Sequence, residues 1–286
     1  MGRRMNRADR FNGNSITESA RVMERRSNAS CGIAFMAKAS APGRAKTRLV
    51  PPLTFDEAAD LNTAFLQDVA ENLLLASHRT SEPVAIGGYA AYGPPGSEGF
   101  FRTTLPESIG LLGAWLPNFG DCLFQTISEI FARGHSSAVV LNADSPTLPT
   151  AFLVETAEAL ARPGDRAVLG PSTDGGYYLL GLKAAHRRMF EDIDWSTERV
   201  AEQTLERARE IDLEIQLLPA WYDVDDLEDL RRLYGEVCGP DKDHRRRDGV
   251  MPNRARQTAA LMQKLARDRD FLRSSVRILQ AEEMRA

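Results

Sequence analysis

Cysteine is scarce, and its placement already excludes two chemistries. Cys31, Cys122 and Cys238 are odd in number and far apart, which rules out a disulfide framework and a CxxC metal site, and a reducing cytoplasm is the simplest home. The four histidines, His78, His135, His186 and His244, lack ligand spacing, and no Ser-His-Asp or Cys-His arrangement can be read. No apolar run approaches the length needed to cross a bilayer, so no membrane span is expected. Strong charge of one sign is missing too: 36 Lys and Arg against 40 Asp and Glu give a net −4, which argues against a general nucleic-acid binder. The basic clusters Arg187-Arg188 and His244 to Arg247 read as solvated faces. Neither a Walker loop nor GxGxxG occurs.

What is present is organised around Cys31 to Leu49, CGIAFMAKASAPGRAKTRL. Ile33 to Ala37 are too few for a helix and read as a strand buried on both faces. A loop leaves from its carboxyl end, where open α/β sheets bind their ligands. Pro42 and Gly43 fix a turn, Lys38, Arg44, Lys46 and Arg48 supply four cations, and Thr47 adds a hydroxyl. Ammonium and guanidinium groups make charge-assisted contacts to phosphate oxygens, so this loop suits a pyrophosphate. An ordinary solvated turn is the alternative.

The spacing predicts a helix opened by the capping box Thr54-Phe55-Asp56-Glu57, with Ala58, Leu61, Phe65, Val69 and Leu73 on one face. Val84 to Ile86 offers a short strand, and residues 89–118 resist assignment. A helix from Asp121 to Gly134 precedes a buried strand, Ser137 to Leu141, which runs into Asn142-Ala143-Asp144-Ser145-Pro146. A helix over 150–162 and a strand over 166–170 follow. Asp174-Gly175-Gly176 then separates two strand-like runs, where paired glycines either let backbone approach a ligand or make a tight hairpin. Ser196 or Thr197 would cap a helix starting near Glu198, Trp195 reads as a packing anchor, and Asp212 to Leu218 reads as a strand.

Asp223-Val224-Asp225-Asp226 closes the series. Period-2 alternation puts Asp223 and Asp225 on one side of an extended segment, and Asp226 can cap the last helix. Mg²⁺ or Mn²⁺ prefers oxygen ligands and binds through one or two carboxylates plus water and phosphate, so Asp144 with Asp225 makes a candidate site across from the basic loop. Residues 1–30 are polar and lack an apolar h-region, so a disordered tail is expected rather than a signal or anchor. Residues 238–253 read as a charged linker. Leu261, Leu265, Leu272, Val276 and Leu279 predict an amphipathic helix within 254–286, packing on its own domain or forming a homodimer.

The series AKASAPGRAKTRL, NADSPTLP, GPSTDGGYYLLGL, DIDWST and DVDDLEDL, in that order over roughly residues 31–237, resembles a bacterial group of glycosyltransferase-like proteins. Those proteins have the nucleotide-diphospho-sugar transferase (GT-A) fold, to which the 2-phospholactate guanylyltransferases are related. The resemblance implies an α/β, Rossmann-like three-layer sandwich with a mostly parallel central sheet. It implies a metal-dependent glycosyltransferase moving a sugar from a nucleotide-sugar to a small acceptor. The alternatives are a nucleotidyltransferase acting on a nucleoside triphosphate and a non-catalytic nucleotide-binding protein. Carried over, Lys38, Lys46 and Arg48 become phosphate contacts, with Pro42, Gly43 and Thr47 in the same loop. Asp144 becomes the metal acid, and Asp225, or else Asp223, the second acidic ligand. Gly175 and Gly176 with Asp174 would face the sugar or acceptor, and Asp174 is the candidate base for an inverting transfer. Asn142-Ala143 stands where Gly with Thr or Ser is usual in the group.

Overall fold

A computed structural model describes residues 29–80, 84–239 and 249–268. Residues 1–28 of the tail expected over 1–30, most of the charged linker and the outer part of the final helix, including Leu272, Val276 and Leu279, lie outside the described residues, whereas Ala29 and Ser30 belong to a strand. Helix α1 (Phe55–Ser77) starts as its sequence dictates: Thr54 Oγ1 accepts the Glu57 N–H while the Glu57 carboxylate accepts the Thr54 N–H.

Among the described residues seven strands form one sheet in the order β3-β2-β1-β4-β6-β5-β7. They are β1 (Ala29–Lys38), β2 (Val84–Gly93), β3 (Gly110–Gly113), β4 (Ser137–Leu141), β5 (Ala167–Pro171), β6 (Tyr177–Leu182) and β7 (Ile215–Leu217). Only β6 runs antiparallel, against β4 and β5. β1 begins two residues before the expected boundary at Cys31, and β2 extends well past Ile86 because its whole length pairs in parallel with β1.

Side-chain alternation along β1 sends Ile33 and Phe35 into one core and Ala34 into the other. The first core lies under α1, α4 (Thr150–Ala161), α6 (Leu227–Cys238) and α7 (Arg256–Asp268). The second lies under α3 (Phe119–Ala132), the 3-10 turn Arg187–Phe190 and α5 (Val200–Glu210). The result is the expected three-layer α/β sandwich. After β3 the chain returns to place β4 beside β1, so the order reverses there and a crevice opens beyond the carboxyl ends of both strands.

Several local expectations need correction. Residues 89–118 contain the rest of β2, α2 (Glu98–Thr104) and β3. The helix expected near Glu198 begins at Val200 without a side-chain cap, because Ser196 takes a positive φ of 66° and Thr197 Oγ1 accepts only the Arg199 N–H. Asp212 takes a φ of 53° and closes the turn after α5, which delays β7 to Ile215.

The described part of the final helix packs on its own chain, against α1 and α6, with Met262, Leu265 and Ala266 buried. Its amino end is held from outside: Asp68 on α1, 1% exposed, accepts from the N–H groups of Gln257 (2.9 Å) and Thr258 (2.8 Å). Replacing Asp68 by Ala leaves those donors unpaired against a desolvated wall. The expected loss is about 2–3 kcal/mol of unfolding free energy, with faster hydrogen exchange in residues 256–268. Unchanged exchange there would remove Asp68 as the clamp.

Candidate active site

The basic loop comes off β1 and turns inward at Lys46, whose backbone is left-handed (φ 49°, ψ 38°) and whose side chain reaches Asp144 just past β4. The Lys46 side chain is 6% exposed, and a buried ammonium needs partners. Its Nζ lies 2.8 Å from Asp144 Oδ1, donates to the Val224 carbonyl at 2.6 Å, stands 4.0 Å from Asp225 Oδ1 and sits 5.0 Å above the Phe65 ring. Arg48, on the 3-10 turn Thr47–Leu49, reaches Asp225 Oδ2 at 3.2 Å with a largely exposed side chain, so that contact is screened.

The acids arrive from three places. Asp144 follows β4, and its carbonyl accepts the Val224 N–H at 2.9 Å, which ties the β4 end to the segment before α6. Asp174 sits in the turn between β5 and β6, where its Oδ1 accepts the Gly176 N–H at 3.0 Å. Asp223 and Asp225 flank the fully buried Val224, as the alternation predicts, and Asp226 caps α6 by accepting from Glu228 and Asp229 N–H groups. One oxygen each of Asp174, Asp223 and Asp225 lies within 4.8 Å of the others. Asp144 faces the same space but is taken up by Lys46.

Crowding and burial disfavour the ionised carboxylates. Burial, then the neighbouring charges of Asp174 and Asp225, push the Asp223 carboxyl up to about 7. Burial also raises Asp225, although Lys46 opposes it. An all-oxygen donor set in which only Asp225 meets cationic side chains among the described residues fits a hard divalent cation such as Mg²⁺ or Mn²⁺.

These groups edge a cavity of about 810 Å³ beyond the ends of β1 and β4. Lys38, Arg48, Asp144, Asp174, Gly176, Asp223 and Asp225 line it. A smaller cavity of about 290 Å³ adjoins it and adds Arg44, Lys46 and Thr47. Pro42 and Gly43 are exposed and line neither. Gly175 faces away as well: at φ +92° a Cβ there would meet the Glu198 carbonyl, so the residue serves chain packing. Trp195, Asn142 and Tyr177 line the large cavity too, together with Trp115 and Phe119, about half exposed, whose place there was not legible in the sequence. Trp195 is both packing anchor and cavity wall. The signal that could have marked Trp115 and Phe119 was a pair of aromatics in a Pro-bearing loop of a chain with only 7% aromatics.

This arrangement belongs to the nucleotide-diphospho-sugar transferase fold. A crystal structure named as a candidate nucleotide-diphospho-sugar transferase from Desulfovibrio desulfuricans G20 is 26% identical, with a TM-score of 0.69 over 86% of this chain and 97% of that one. A cytidylyltransferase from Leptospira borgpetersenii serovar Hardjo-bovis (strain JB197) is 11% identical, with a TM-score of 0.45 over 86% of this chain and 97% of that one. Residues 80–197 match the family described as "Uncharacterized protein conserved in bacteria (DUF2064)", and the family resemblance seen in the motifs is borne out there. The matched segment holds Asp144 and Asp174 but neither the basic loop nor Asp223 and Asp225. No curated protein matches the chain.

The Asp223 shift has a signed consequence. Its folded pKa exceeds the unfolded one, so between about pH 4 and 7 the folded state holds a proton that the unfolded state releases, and stability falls as pH rises. In metal-free buffer Asp223→Asn should therefore melt above wild type by about 2–4 °C at pH 8, with the gap clearly smaller at pH 5 and closing only near pH 4. An equal gap at pH 8 and pH 5 would show that the carboxylates do not repel.

Proposed function

We propose that the protein transfers a sugar from a nucleotide-sugar to the hydroxyl of a small acceptor, with Mg²⁺ or Mn²⁺. The observation that carries this reading is the group Asp174, Asp223 and Asp225 lining one cavity with Lys38 and Arg48 at the sheet's switch point. Similarity to the Desulfovibrio protein supports it. Fold alone would not, since one fold hosts many chemistries.

Lys38 and Arg48 bind the diphosphate and offset the charge that grows on it as the sugar departs. Asp223 and Asp225, the half-buried acids, would hold the cation together with phosphate oxygens and water. A cation bound there supplies further electrostatic stabilisation of the leaving group. Lys46 keeps Asp144 turned toward the cavity. Asp174 is the exposed member of the group. With Oδ1 occupied by the Gly176 N–H, its Oδ2 is free to take the acceptor's proton in an inverting transfer.

Nucleotidyl transfer is the second reading, favoured by the smaller cavity. Arg44 and Thr47 add donors there beyond those a diphosphate needs, and a nucleoside triphosphate could use them.

Products separate the two. With Mn²⁺ and a nucleotide-sugar panel, the expected product is nucleoside diphosphate. Pyrophosphate released from a triphosphate would select the second reading, and neither product from any substrate would overturn both. Asp225→Asn should lower turnover by about 10²-fold or more in a protein that melts no lower than wild type in metal-free buffer. Wild-type turnover in that variant would remove Asp225 from the mechanism.

A further inference from the structure

Two buried polar atoms on residues that line the large cavity lack partners. Asn142 Oδ1 and the Tyr177 hydroxyl are buried, and neither makes a hydrogen bond among the described residues. A native chain rarely leaves such groups unmatched, because a buried donor or acceptor gives up water without a replacement. Both residues line the cavity and adjoin its acids: Asn142 lies two residues before Asp144 and Tyr177 three after Asp174, and the Asn142 N–H donates to the Tyr178 carbonyl at 2.8 Å across β4 and β6.

The surrounding wall is aromatic. Phe119 and Trp195 meet edge to face at 5.3 Å, and Tyr177 meets Trp195 at 6.4 Å. Trp115, 53% exposed, lies so close over the end of β2 that a Cβ at Gly93 would collide with its ring. Rings that stay half exposed while facing a cavity offer apolar faces to a ligand.

We infer that Asn142 and Tyr177 form a hydroxyl-reading subsite that selects the sugar ring of the donor, stacked against the Trp115, Phe119 and Trp195 wall. The inference rests on the donor-binding reading above and adds to it the residues that read the sugar. An amide oxygen can only accept and a phenol can donate or accept, so adjacent hydroxyls of a pyranose satisfy both. A nucleobase could also stack on the aromatics, but the bond between sugar and diphosphate must lie beside the carboxylates, and Asn142 and Tyr177 adjoin those. A site built around a substrate hydroxyl discriminates strongly, because the wrong ligand leaves its buried groups unpaired.

The test uses the full chain, with tryptophan fluorescence to titrate UDP-glucose, GDP-mannose and ADP-glucose, each against its matching nucleoside diphosphate, in MnCl₂. In wild type at least one nucleotide-sugar should bind about tenfold tighter than its diphosphate, and Asn142→Ala and Tyr177→Phe should each erase most of that ratio. Tyr177→Phe should also raise the melting temperature of the free protein by about 2 °C, since it removes an unpaired buried hydroxyl; a purely structural tyrosine would lower it. The subsite is overturned if the variants keep the wild-type ratio, if they lose diphosphate and nucleotide-sugar affinity equally, as base readers would, or if wild type shows no sugar-dependent gain while binding diphosphates. Failure of every diphosphate to bind would overturn the donor-binding reading and the subsite with it.

Discussion

One buried ammonium holds the site together. Lys46 Nζ joins the loop after β1, the carboxylate after β4 and the carbonyl before α6, three stretches far apart in sequence. In a nearly dry position each contact is electrostatically strong, and removal of the cation would leave Asp144 facing other carboxylates with its partner gone. The basic loop thus divides its charges. Lys46 is spent on architecture, whereas Lys38, Arg44 and Arg48 remain exposed to the cavities. A run that suggests four equivalent phosphate contacts contains one internal counter-ion and three outward-facing groups.

The sheet supplies the rest of the geometry. Its order reverses between β1 and β4, and the single antiparallel strand β6 returns the chain so that the β5–β6 turn projects Asp174 toward the same crevice end. The segment before α6 is fixed by the Val224 N–H to Asp144 bond on one side and by the Asp226 cap on the other. Three acids are therefore held close by backbone hydrogen bonds rather than by mutual attraction, and burial concentrates their repulsion on Asp223. A site that stores like charge in this way is suited to a ligand that brings positive charge.

Much of this was legible in the chain because the signals were local. The Thr54 capping box, the five-residue apolar strand Ser137 to Leu141, the alternation of Asp223 and Asp225 and the Asp226 cap each depend on neighbours within a few residues, and each appears in the structure. Ser196 and Asp212 were misread because non-glycine residues there take positive φ, which composition does not announce. Lys46 carried no sign that it would turn inward, since that depends on a left-handed backbone and on partners brought by β4 and α6. The aromatic wall was hidden for a related reason: Trp115 stands in a loop and Phe119 is the first residue of α3, where periodicity says nothing, and only the fold gathers them with Trp195 and Tyr177. Gly175 shows the reverse error, where a glycine pair suggested ligand contact at both members and one serves packing against Glu198.

The central claim is that the carboxylate group and the outward cations act as one site for a diphosphate with its metal. Isothermal titration of the full chain with UDP, GDP, ADP and CDP, in MnCl₂ and in EDTA, tests it directly. The account predicts that at least one diphosphate binds about tenfold or more tightly with Mn²⁺, and that this diphosphate tightens Mn²⁺ binding by the same factor, as linkage requires. Equal diphosphate affinity in EDTA and in Mn²⁺ would contradict it.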